Sequence, residues 1–222
     1  METDFTESAR RLGVFSSLAV AILLVAYAVT LGIGFVSLDS PDDPIGDPMF
    51  TILEILIILL MPAMVALMAA VHAWAPGGAK VFSLASLVFM GLLAVLTMTL
   101  HFVVLTLSRH PAFVELPWLP LLVSFRWPSV AYAVDILGWD VLFALSMFFA
   151  APVFAGGRLA AWIRGLMIVS GVLSIAGLSG VIAGDMSLRN IGIVGYVPVF
   201  LVVTVLLAVL FHRTRPATLN GR

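Results

Sequence analysis

The stretch MFTILEILIILLMPAMVALMAAVHAW, residues 49–74, decides the fold. A helix rises 1.5 Å per residue, so about 20 apolar residues cross the hydrocarbon core of a bilayer. Between Met49 and Trp74 only Glu54 and His72 can ionise, so the run reads as a membrane span, kinked at Pro62.

Five further stretches meet the same requirement: residues 12–38, 81–107, 129–155, 162–184 and 191–212. Of the 222 residues, 62% are apolar and 10% charged, and the mean hydropathy is +1.18. That leaves too little polar sequence to cover a water-facing surface, which excludes a soluble enzyme and a disordered tail. The net charge of -1 supplies no basic field for nucleic acid. The chain has no cysteine, so disulfides, thiolate metal sites and thiol nucleophiles are excluded. The expected architecture is all-α: a single domain, residues 1–222, of six transmembrane helices in one bundle.

Breakers separate the spans: Asp39-Ser-Pro-Asp-Asp-Pro-Ile-Gly-Asp-Pro48, Ala75-Pro-Gly-Gly-Ala-Lys80 and Gly156-Gly-Arg158. Arg10 and Arg11 ahead of an apolar run, with Ala26-Tyr27-Ala28 behind, have the outline of a signal peptide. The run continues to Leu38, so an uncleaved span is expected. The basic residues Arg10, Arg11, Lys80, Arg158, Arg164, Arg213, Arg215 and Arg222 fall on one side, and Arg109, Arg126 and Arg189 on the other. The bias puts both termini in the cytoplasm, in a plasma or bacterial inner membrane. The carboxylates Asp39, Asp42, Asp43 and Asp47 then form an outer loop, read as solvated rather than cation-binding. Trp74 and Trp162 mark the inner interface and Trp118 and Trp127 the outer one; Trp139 alone lies within the bilayer. Pro111 to Phe125 is apolar, but three prolines break it, giving an interfacial or re-entrant segment that either covers a site or rests on the headgroups. No inverted repeat of three spans is visible.

Ionisable residues inside spans are costly, about 2.5 to 3.5 kcal/mol each for an acid at mid-bilayer, and must face protein or water. Glu54 lies about 7 Å, and His101 and Asp135 about 9 Å, below the outer ends of spans two, three and four. Asp140 lies about 16 Å deep and about 140° around a regular helix from Asp135, so the two are not expected to face one narrow pocket. Thr97, Tyr132 and Trp139 sit within about a turn of these groups, and Arg109 or Arg126 can reach down to pair with them. This layer either binds a proton, an ion or a small polar solute, or is a buried network that sets helix register.

Glu54, His101 and Asp135 are also weak metal-ligand candidates, since imidazole and carboxylate suit several metals, but no H-E-x-x-H spacing is present. Met61, Met64 and Met68 ahead of His72 read as packing rather than a copper path. Gly171, Ser174, Gly177 and Gly180 give span five a small-residue face for close helix approach, within the chain or with a partner helix. Gly192, Gly195 and Pro198 make the start of span six a kink or hinge. No motif requires a cofactor. Three functions remain: binding or transport of a proton, ion or small polar solute through the outward-facing layer; an intramembrane enzyme acting on a lipid or quinone-like substrate, with His101 and a carboxylate as acid and base; and a structural or accessory subunit. The first is preferred.

Overall fold

The computed structural model describes residues 5–40 and 45–216. Asp42 and Asp43 of the acidic loop, and Arg222, lie outside the described residues. Among the described residues six helices are long and apolar enough to cross a membrane: Glu7–Val36, Met49–Trp74, Gly77–Leu107, Val130–Val153, Arg158–Ala183 and Met186–Arg213. Among the described residues there is no strand.

Each helix packs mainly on its sequence neighbours, and the sixth closes onto the first, making an up-and-down ring. Closure brings the start of the first helix against the end of the sixth: Phe5 stacks on Phe211 at 5.8 Å, and Phe211 covers Gly13, where a Cβ would lie 2.7 Å from its ring. The interior of this half is filled by Met61, Met64, Leu67, Met68, Met90, Leu93, Phe143 and Phe200, all fully buried. Outward-facing positions carry large apolar side chains such as Phe15, Ile22, Val81 and Val95, each more than half exposed. Water would not favour such a surface, whereas lipid would.

Local chemistry sets the boundaries. Thr6 caps the first helix by accepting from the Ala9 N–H at 3.2 Å, and Glu7 pairs with Arg10 and Arg11, so the helix starts ahead of the expected residue 12. Asp47 accepts from the N–H and hydroxyl of Thr51 and so serves the start of the second helix, which runs through Pro62 without interruption. Gly156 and Gly157 turn the chain with φ of 83° and 79°, a region that favours glycine.

The fourth and sixth helices are not regular. Each contains a π-turn, Leu137–Leu142 and Gly195–Val199. In the first the Phe143 N–H reaches back to Gly138, and in the second the Phe200 N–H reaches Gly195. Pro198 cannot donate within the second turn, and the Ser170 hydroxyl adds a bond to the Gly195 carbonyl at 2.8 Å. The expected hinge at Gly192, Gly195 and Pro198 therefore takes the form of a local widening of the helix.

Between the third and fourth helices, residues 111–125 form two short helices, Pro111–Val114 and Leu119–Val123. The sixth helix begins earlier than expected. Gly184, at φ 70°, reverses the chain, and Asp185 caps a 3-10 turn, Met186–Arg189, by accepting from the Ser187 N–H. Hydrogen bonding from Ser187 holds the Asp185 carboxyl below the usual carboxylate range. Arg189 is thereby drawn out of the expected loop and into the helical bundle.

Candidate functional site

Glu54 sits in the second turn of its helix, and its carboxylate Oε2 is 2.8 Å from Nδ1 of His101 on the third. The other imidazole nitrogen, Nε2, lies 3.7 Å from Asp135 Oδ1 on the fourth, too far for a hydrogen bond. Asp135 Oδ2 accepts from Arg189 Nη2 at 2.7 Å, and Arg189 Nε donates to Asp140 Oδ2 at 3.3 Å. The guanidinium also lies 4.6 Å over the Tyr132 ring. Four helices thus contribute to one continuous row, Glu54–His101–Asp135–Arg189–Asp140. Glu54 and His101 are each 4% exposed, Arg189 5% and Asp140 0%.

Arg189 answers the need for a cation that the sequence assigned to Arg109 or Arg126. Arg109 instead pairs with Asp47 and lies over the Phe50 ring, at the end of the bundle where the helices connect. Arg126 is exposed there and enters no ion pair among the described residues. Asp135 and Asp140 do not face one pocket, as expected: only Asp135 lines the cavity beside the row. Both nevertheless reach Arg189, since the π-turn that begins at Leu137 winds more slowly than a regular helix and brings them closer in angle. The length of the arginine side chain bridges the rest.

The small-residue face of the fifth helix makes this approach possible. A Cβ on Gly180 would lie 3.0 Å from the Arg189 backbone nitrogen; one on Gly177 or Gly192 would lie 3.1 Å or 2.7 Å from Asp140 Oδ1. Gly171 is covered by Phe148, and Ser174 donates to the Ser170 carbonyl. The whole face is occupied within the chain by the fourth and sixth helices.

Beside the row lies a cavity of about 550 Å³. Glu54, His101, Tyr132, Asp135, Trp139 and Arg189 line it, together with Tyr27 and Leu24 of the first helix, Leu53 and Ile57 of the second, and Tyr196 of the sixth. Residues 123–126 also line it, and the Phe125 ring stacks on His101 at 4.9 Å. Thr97 and Asp140 lie outside the cavity wall: Thr97 packs beneath Gly138, and Asp140 behind Arg189.

Nδ1 of His101 is within hydrogen-bond distance of the Glu54 carboxylate, while Nε2 is buried with no hydrogen-bond partner. Asp140 Oδ1 and Ser108 Oγ are the other buried side-chain atoms without a partner among the described residues. No three His, Asp or Glu side chains among the described residues are grouped to hold a metal ion. At Asp135 and Asp140 the guanidinium occupies the position a cation would take. Met61, Met64 and Met68 are fully buried packing, with Met68 accepting from the Ser86 hydroxyl.

The sequence missed Arg189, Tyr27, Tyr196 and Phe125. The signal for Arg189 was present: two carboxylates in one span require a cation, and Arg189 stands only two residues ahead of the expected sixth span. Comparison with known protein families, with characterised proteins and with solved structures finds no match for this chain.

Proposed function

We propose that this chain is a multi-pass membrane protein with both termini in the cytoplasm that binds a small solute in the cavity at its outer end. Glu54, His101 and Asp135 make the polar contacts, and Arg189 holds Asp135 in place. The observation that carries this reading is the convergence of these groups, from separate helices, on one wall of a cavity of about 550 Å³. A network that served only to fix helix register would need no such space beside it, and ligand sites fall in the range of about 300 to 1,000 Å³. Below the cavity the bundle is filled by Met61, Met64 and Phe200, so transport would require the helices to move. The π-turns of the fourth and sixth helices, whose Trp139 and Tyr196 line the cavity, are where such movement would concentrate.

One observation favours a second reading, an enzyme acting on a lipid or quinone-like substrate. Glu54 orients His101, whose Nε2 has no hydrogen-bond partner and lies 3.7 Å from Asp135, an imidazole and carboxylate placed to serve as acid and base.

Native mass spectrometry of protein released gently from membranes tests the binding reading. Ile57 lines the cavity and is 5% exposed, so Ile57→Trp should fill it. The wild-type chain is expected to carry a bound small molecule that Ile57→Trp excludes. An unliganded wild-type chain, or one whose bound mass is retained in Ile57→Trp, would contradict it.

A further inference from the structure

The cavity binding reading leaves the class of ligand open, and the balance of charge in the row narrows it. Glu54, Asp135 and Asp140 face a single permanent cation, Arg189, and His101 adds a second positive charge only when protonated. Even then one negative charge is in excess, and a buried excess charge draws a counter-charge. Arg126, at the mouth, is exposed and screened by solvent. Arg189 bonds to both aspartates, and of these only Asp135 lines the cavity. Glu54 also lines the cavity, and with His101 neutral it has no positive partner, its one bond being to that imidazole.

The rest of the wall is unsuited to an inorganic ion. Hard cations require several converging oxygen ligands to replace their water; Ser108, Ser124 and the tyrosine hydroxyls add only neutral oxygens, while Phe125 and Trp139 present rings and Leu53 and Ile57 aliphatic carbon. Ring faces beside a carboxylate recognise an organic ammonium, through cation–π attraction and desolvated ion pairing. An anion, or the phosphate of a zwitterionic headgroup, would meet the same excess negative charge.

Resting on the cavity reading, we propose that the ligand is a free organic monocation with an apolar body, its charged centre beside Glu54 and its body among the aromatic rings. Phenyltrimethylammonium and its uncharged isostere tert-butylbenzene separate charge from shape. Calorimetric titration of the full-length protein in non-ionic detergent is expected to show one saturable site for the ammonium. Tert-butylbenzene should bind at least about tenfold more weakly. Glu54→Gln should weaken ammonium binding at least about thirtyfold, as loss of one member of a buried charge pair does. Tyr27→Leu, which leaves the row intact, should weaken it about threefold. Ile57→Trp should abolish it.

Equal binding of the two probes, lost in Ile57→Trp, would overturn the cation and keep the cavity. So would undiminished ammonium binding in a folded Glu54→Gln or Tyr27→Leu. Failure of both probes to bind would overturn the cation and, if Ile57→Trp also leaves the bound mass unchanged, the cavity as well.

Discussion

Arg189 donates to Asp135 at 2.7 Å across 54 positions of sequence, the arginine buried in the bundle and the Asp135 side chain 12% exposed. This bond ties the start of the sixth helix to the fourth and, through Asp135, to the imidazole of the third. Each member of the row therefore depends on the next.

Arg189→Met would leave Asp135 and Asp140 with no cation, and breaking a buried pair from one side costs about 3 to 5 kcal/mol. Thermal unfolding in detergent is expected to show a large loss. Arg189→Lys should recover only part of it, because an ammonium cannot serve two carboxylates in the forked manner of a guanidinium. A wild-type melting temperature in Arg189→Met would refute the network.

Helical glycine normally gains stability on replacement by alanine, by about 0.5 to 1 kcal/mol. At Gly192 the sign should reverse, since the new Cβ would lie 2.7 Å from Asp140 Oδ1; overpacking of this kind costs about 1 to 3 kcal/mol. Gly165→Ala, where nothing lies within 4 Å, is the control and should be neutral or stabilising. The comparison needs only two melting curves beside that of wild type.

Arg109 and Asp47 pair at the mouth with side chains roughly half exposed, 45% and 49%, and such pairs contribute about 1 kcal/mol or less. Arg109→Ala should leave the melting temperature nearly unchanged. It should instead speed access to the cavity, because the pair holds the connection before the second helix against the end of the third. The rate at which a thiol reagent modifies Leu53→Cys, with and without Arg109→Ala, measures that access.

Met64 is fully buried, and its role in packing can be tested by shape alone. Met64→Leu should cost under about 1.5 kcal/mol and leave solute binding intact. Loss of binding with stability preserved would return the methionines to a functional role.

Most of the helical frame was legible because hydropathy and turn residues act locally. The six runs, the Gly156–Gly157 turn and the breaks at residues 111–125 all follow from neighbours in sequence. The layer containing Glu54, His101 and Asp135 could be located by depth, since 1.5 Å per residue is a fixed rise. What sequence could not show was that Asp135 and Asp140 share Arg189: the π-turn Leu137–Leu142 changes the rotation along the fourth helix, and no local residue signal marks it. Arg189 was misplaced for a related reason: its 3-10 turn continues the sixth helix beyond its apolar run, and hydropathy stops where that run does.

The central claim is that the Glu54–His101–Asp135 row borders a cavity reached from the outer side. The chain has no cysteine, so a single thiol reports without background. Leu53→Cys places it in the cavity wall, and Met64→Cys in the filled core as a control. In intact cells, Leu53→Cys is expected to react with a membrane-impermeant cationic thiosulfonate faster than with an anionic one, while Met64→Cys stays unreactive. A Leu53→Cys thiol that is inert to both reagents, or that reacts only from the cytoplasmic side, would contradict the account.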